Sequence, residues 1–163
     1  MADTPYPPMR RKDRAMTDPA QLRQLLEQCQ VMRLAMTCPQ GPYVVPLNFG
    51  YALEPNGRLQ LFFHCAAQGR KIRLLEADPR VCFEMDCQHQ LLAGAIPCEY
   101  SYGYASIIGF GLAKELHAPE EREAGLSRIM DRFAKGPYAF DPGILSQTRV
   151  FMIEAEHWTG KRH

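Results

Sequence analysis

Between Leu59 and Pro79 the chain sets one imidazole, one thiol and three cations around a single glycine: His64, Cys65, Gly69, Arg70, Lys71 and Arg73. The stretch reads as an apolar strand, a polar turn and the start of a helix. A helix start offers free backbone N–H groups and the positive end of the macrodipole, so it favours an anion. Lys71 as a point charge and Arg70 as a planar fork would suit a phosphate. On composition alone, a solvated helix face accounts for these cations better. His64 ends the strand, and an imidazole titrates near working pH, which suits it to proton donation. A thiol at Cys65 beside two cations is a candidate reactive cysteine.

Other catalytic signatures are absent. The sequence has no GxSxG elbow, no Walker A loop and no HExxH, and Gly103, Gly109 and Gly111 do not form GxGxxG at a strand-to-helix junction. Its six cysteines include no CxxC pair, so reduced thiols are expected and no metal site is read from them. His89, His117 and His163 read as surface imidazoles. The 19 basic and 18 acidic residues leave a net charge of +1, which argues against a nucleic-acid binder working through a broad basic field. No apolar run reaches the roughly 20 residues of a membrane span. The basic N-terminus lacks a following apolar segment, so it is no signal peptide and a cytoplasmic protein is expected.

The elements that must position these groups follow from pattern. With 163 residues and 46% hydrophobic content the chain suits one globular domain. Residues 1–16, rich in proline and charge, suggest an extended N-terminal arm, and residues 17–163 the domain. Asp18-Pro19 opens a helix whose Leu22, Leu25, Leu26 and Cys29 share a face. Strands are expected over 31–38, 43–53, 58–65, 80–88, 102–116 and 149–156. The second contains Pro46 and therefore needs an edge or a bulge, which frees backbone groups for a ligand. Helices are expected over 68–77 and from Pro119, the latter turning Leu126, Ile129, Met130 and Phe133 to the core. The loop 88–101 reads as irregular. Consecutive strands with hairpin turns favour a mainly β fold, a six-stranded antiparallel barrel with flanking helices.

Six segments, MRRKDRAMTD (9–18), VVPLNFGY (44–51), LFFHCAAQGRKIRLL (61–75), DPRVCFEMD (78–86), YASIIGFGLA (104–113) and TGK (159–161), come in an order that resembles the pyridoxamine 5′-phosphate oxidase-like FMN-binding split-barrel superfamily, and within it the nitroimidazole-resistance family. The resemblance implies a homodimer with flavin at the interface. It implies FMN, with FAD an alternative, gripped at the phosphate by Lys71 and Arg70, with Ser106 adding a hydroxyl. Val45, Pro46, Leu47 and Asn48 would run beside the isoalloxazine ring, His64 would lie near it, and Trp158 and Thr159 would close over it from the partner. Cys65 stands where the family often has serine, and its thiol is a weaker donor than the hydroxyl it replaces. Aromatic residues Phe49, Tyr51, Tyr100 and Tyr102 could wall the pocket, though most of them are expected in the core. The activity implied is flavin-dependent reduction of a small planar acceptor such as a nitroimidazole, with NAD(P)H or another electron donor. Alternatives are a flavin- or haem-binding protein of the same fold without turnover, and a pyridoxamine-phosphate-oxidase-like enzyme.

Overall fold

A computed structural model describes residues 6–163; the first five residues of the expected arm lie outside the described residues. The elements in order are β1 (Ala15–Met16), α1 (Pro19–Gln28), β2 (Met32–Cys38), β3 (Gly41–Leu47), β4 (Gly50–Leu53), β5 (Leu59–Ala66), α2 (Arg70–Ala77), β6 (Arg80–Leu92), β7 (Ser101–Leu116), α3 (Pro119–Met130), α4 (Pro142–Gln147) and β8 (Thr148–Arg162). The strands form one antiparallel sheet in the order β3-β2-β6-β7-β8-β5-β4, with β1 added beside the far end of β8.

That order forces the sheet to curl. Seven strands spaced about 4.8 Å apart would set β3 and β4 about 29 Å from each other if flat. Yet β3 and β4 are joined by Asn48 and Phe49 alone. Three steps of about 3.8 Å from Leu47 to Gly50 span at most about 11 Å. The two edges therefore meet, and the sheet closes into a split barrel. The mainly β class with flanking helices is thus as expected, but the strands number eight instead of six. The stretch 43–53 divides at Asn48-Phe49 into two strands on opposite edges, and Ala15-Met16 pairs with Gly160 and Lys161. Pro46 sits opposite Arg33 in edge strand β3, in a register that runs without a bulge, so its missing N–H leaves no gap in an interior ladder.

Alternation fills the barrel. Leu34, Leu61, Phe63, Phe83, Met85, Ile107 and Ile153 are fully buried, and α1 adds Leu25, Leu26 and Cys29 to the same core. Each such aliphatic or aromatic side chain contributes about 1.5–3 kcal/mol relative to exposure. Asp18 caps α1 by accepting from the Ala20 N–H at 2.9 Å. Two bulges reset the alternation. One in β6, between Cys87 and Gln90, carries Gln88 at φ 59. The other in β8 makes Glu156 the extra residue between Ala155, opposite Gly111, and His157, opposite Phe110.

Four local expectations change. The strand expected to stop at 156 continues to Arg162, the loop expected from 88 is strand as far as Leu92, and α4 was not foreseen. Phe133 does not reach the core: α3 ends at Met130, and Phe133 is 63% exposed.

Helix α3 packs against β4 and β5 with its backbone. A Cβ at Gly50 would lie 2.3 Å from the Arg128 carbonyl, so only glycine permits that approach. Gly50→Ala is expected to push α3 outward and destabilise the protein by about 1–3 kcal/mol. That should lower the thermal midpoint by roughly 2–4 °C per kcal/mol, read in a melting curve.

Candidate functional site

Phe63 points into the barrel, where its ring stacks on Phe151 at 5.2 Å. Its neighbour His64, paired with Val150, therefore points outward, toward α3. There it floors a 550 Å³ cleft with Asn48, under walls formed by Leu126, Ile129, Met130, Phe133, Phe140 and Ile144. The volume and apolar lining are those of a small-molecule site. Continuing the β4–β5 register from Gly50 opposite Phe62 would set Asn48 opposite His64, but β4 starts only at Gly50. The closing corner of the barrel thus leaves this place free for the cleft.

The imidazole Nδ1 of His64 is buried without a hydrogen-bond partner, the only such side-chain atom among the described residues. Buried polar atoms are rarely left so, because the desolvation is uncompensated. Burial, and secondarily the charge of Lys71, hold the His64 pKa below its ordinary 6.5. Lys71 is half-buried in the first turn of α2, its ammonium 5.4 Å from the Phe63 ring centroid. It has neither an ion pair nor a hydrogen bond among the described residues. Burial pulls its pKa down, against a smaller upward pull from Cys65. The N-terminus of α2 carries no capping side chain, and Gly69 before it has φ 151, a conformation side chains disfavour. An unpaired ammonium and uncapped N–H groups at one helix start suit an anion.

The two cations part company. The Arg70 guanidinium lies 4.6 Å from the Tyr43 ring centroid and donates to Gln40 Oε1 at 2.9 Å and Cys38 Sγ at 3.2 Å. It is thus already engaged by the β2–β3 hairpin. Burial raises the Cys65 pKa, more than Lys71 and Arg149 lower it, which keeps Cys65 a thiol.

Val45 and Leu47 pack inward from β3, while Pro46 and Asn48 are exposed. Ser106 and Thr159 lie elsewhere, together with Lys161 on the outer face of β7 and β8 beneath Tyr6. Ser106 is 8% exposed and sits between Asp86 and Lys161 across the strands. His64 is level with Val150 and hence with Leu116, ten residues along β7 from Ser106. At about 3.3 Å per residue that is about 33 Å along the strand. Trp158 is on the opposite face from Thr159, packed against the core with its indole N–H donating to the Gly57 carbonyl at 3.2 Å. Of the aromatics, Phe49 is core, Tyr51 reaches Glu27, and Tyr100 and Tyr102 are 54% and 53% exposed. None of the four lines the His64 cleft. The wall residues after α3, Phe140 and Ile144, were missed; Asp141-Pro142, an N-cap before a helical proline, was the available signal.

A curled antiparallel sheet with an outer cleft over an orphaned imidazole is a split barrel with a pocket of small-molecule size. The profile of the pyridoxamine 5′-phosphate oxidase family matches residues 18–162, and the chain belongs to that family. It is similar to the crystal structure of a candidate 5-nitroimidazole antibiotic resistance protein from Bacteroides thetaiotaomicron, with 26% identity over 91% of this chain and 86% of that one and a TM-score of 0.78. A FAD- and haem-binding protein from Mycobacterium smegmatis shares the fold at 20% identity, over 91% of this chain and 73% of that one, with a TM-score of 0.79. So does a flavocytochrome from Azotobacter vinelandii at 16% identity, over 96% and 72%, with a TM-score of 0.79. No curated protein sequence matches the chain.

The depressed His64 pKa has a testable sign. Above 6.5 both the folded and unfolded imidazoles are neutral and stability is full. As pH falls from there toward the lower folded pKa, the unfolded chain takes up the proton first and stability is lost. His64→Gln is expected to remove this part of the acid-side decline between about pH 5 and 7, read as thermal midpoint against pH.

Proposed function

We propose that the chain is a flavin-dependent oxidoreductase that binds FMN and reduces a small planar acceptor, a nitroimidazole being one candidate, at a site completed by a second copy. The observation that carries this reading is the pair of unsatisfied groups at one end of β5: the orphaned Nδ1 of His64 and the unpaired ammonium of Lys71. A phosphate-bearing ligand would satisfy the ammonium, and a polar ring edge the imidazole. The flavin, when bound, supplies two-electron transfer, drawn from NAD(P)H or another donor.

In this reading Lys71 and the first-turn N–H groups of α2 hold the phosphate. Arg70, pinned by Cys38 and Gln40, shapes the rim and adds charge without first giving up its partners. The edge strand through Val45, Pro46, Leu47 and Asn48 offers backbone groups to the ring. His64 holds a proton or hydrogen bond for the acceptor, its lowered pKa making it the stronger acid once charged. The apolar walls exclude water. Ser106 and Thr159 lie too far along the barrel to join this site within one chain, so they would come from the second copy. The outer face around them, with Ile108 46% and Phe110 41% exposed, is the surface proposed to meet it.

A second reading has its own support: a neutral imidazole in an apolar cleft also suits haem ligation, and two proteins of this fold bind flavin with haem or are flavocytochromes by description. The visible spectrum of the purified protein separates the readings, a flavin spectrum supporting the first and a Soret band the second. Protein that stays colourless and ignores added FMN sinks the first.

Lys71→Ala is expected to weaken FMN binding roughly 10- to 100-fold, the worth of a charge-assisted contact, and to leave riboflavin binding unchanged. Fluorescence titration reads both, and an unaltered FMN affinity removes Lys71 from the phosphate. His64→Ala should keep FMN yet slow acceptor reduction about 10²-fold or more. Ile108→Asp should give a monomer by sedimentation with weakened FMN binding; a dimer of unchanged affinity would place the interface elsewhere.

A further inference from the structure

The cleft over His64 carries an uneven charge. Four of its lining residues have polar side chains: Asn48, His64, Asp141 and Thr148. Thr148 is already engaged, its hydroxyl donating to the Ile144 carbonyl at 2.9 Å. Burial holds the His64 pKa below 6.5, so its imidazole is neutral at pH 7. Asn48 is an uncharged amide. Asp141 is therefore the one formal charge in the lining among the described residues. It makes no ion pair among them. Neither Lys71 nor Arg122 lines the cleft; Arg122 instead donates to the Leu145 and Thr148 carbonyls. The fold fixes the carboxylate in place. Asp141 is the N-cap of α4, and its Oδ1 accepts from the Ile144 N–H at 2.9 Å. Its Oδ2 has no hydrogen bond among the described residues. Phe140, the preceding residue, and Phe133, 63% exposed, belong to the same lining. An aromatic face and an unpaired carboxylate both attract a cation and repel an anion.

We propose that Asp141 sets the charge preference of the cleft, so that the acceptor taken there is an apolar ring carrying a cationic substituent. The inference rests on the reading of this cleft as the acceptor site and adds the charge class of the acceptor. The ring packs on the apolar walls with its polar edge toward His64, and its cationic arm reaches the Asp141 carboxylate beside the phenylalanine rings. A neutral ring forgoes that attraction, and a ring bearing a carboxylate is repelled. Asp141 is exposed, so water and salt weaken the effect, and one unit of ligand charge is worth on the order of tenfold in affinity. The anion preference at the start of α2 and the cation preference at Asp141 belong to different ends of the site. The first concerns the phosphate proposed at Lys71, and the second concerns the acceptor alone.

The test uses one ring with three charges: a 5-nitroimidazole whose N1 substituent ends in an ammonium, a hydroxyl or a carboxylate. Affinity for the purified protein is read by calorimetry at low salt, and reduction with FMN and an electron donor by steady-state rates. The expected order of affinity is ammonium, hydroxyl, carboxylate, with about tenfold per step, and about 0.5 M salt should compress it. Asp141→Asn keeps a side-chain oxygen for the α4 cap, since Asn and Asp cap equally well. It should therefore fold, bind the hydroxyl compound as before and bring all three affinities within about threefold. Tightest binding of the carboxylate compound, an order left intact in Asp141→Asn, or binding of none of the three would overturn the proposal. The two readings fail separately. An order that holds in binding without reduction of any compound removes the oxidoreductase reading and leaves the charge preference. Reduction of all three with equal kcat/KM and equal affinity does the reverse.

Discussion

Everything in this barrel depends on a two-residue corner. Asn48 and Phe49 carry the chain from one edge of the sheet to the other, and no flat or gently twisted sheet of seven strands could be joined so briefly. Phe49 anchors the corner from inside, buried and covered by the Arg132 guanidinium, which also donates to the Leu26 and Cys29 carbonyls at the end of α1. One side chain thereby ties α1, the corner and the end of α3 together. Asn48 faces the other way, into the cleft. Closure and cleft are two sides of the same constraint, because the ladder between β4 and β5 must start late for the chain to turn, and the strip of β5 left uncovered is the one that ends in His64.

The electrostatics of that strip follow from burial without pairing. Several charged groups elsewhere are matched: Arg149 with Glu115 and Glu76, Arg33 with Glu84 and Asp86, Glu154 with Arg58 and Lys114. Such pairs near the surface contribute little net stability. Lys71 and His64 are half-buried and unmatched; burial disfavours the charged state of both, and the charge of Lys71 further disfavours that of His64. A folded chain tolerates that arrangement at some loss of stability, and the loss is recovered when a ligand brings the missing negative charge and hydrogen-bond acceptor. Stability given up at one end of β5 is therefore an argument for binding there that does not rest on likeness to any other protein.

The sequence made the barrel class legible because the strand stretches alternate and the turns between them carry proline, glycine and asparagine, as at Glu54-Pro55-Asn56-Gly57. Where it misled, the alternation itself was broken. Glu156 as an extra residue in β8 reverses the face of everything after it, so His157 to Arg162 reads as a tail. Gln88 does the same for β6. Phe133 kept helical spacing with Leu126, Ile129 and Met130, yet the helix had already ended, and nothing local distinguishes a core aromatic from one at a cleft mouth. His64 and Lys71 were singled out by residue type, position and resemblance, and the structure leaves the His64 Nδ1 and the Lys71 ammonium without hydrogen-bond partners among the described residues. What could not be read was that Arg70, one residue away, turns to the Tyr43 hairpin, since neighbours in a helix differ by about 100° in direction.

The same parity argument bears on how a site is shared between two chains. Trp158 and Thr159 are adjacent in sequence and would be carried over together by resemblance, but on an extended strand they cannot face one ligand. Trp158 is committed to the core and to the Gly57 carbonyl, so of the two only Thr159 remains available on the outer face, in line with Ser106 and Lys161. That row lies about 33 Å along the barrel from the row of His64, and the closed sheet does not flex enough to unite them. If Ser106 and Thr159 serve the same ligand as Lys71, the second copy must lay its own β7 and β8 across the cleft. The residues on which the proposed interface depends are then Ile108 and Phe110, 46% and 41% exposed, of which Phe110 is only partly covered by the Tyr6 ring at 5.5 Å.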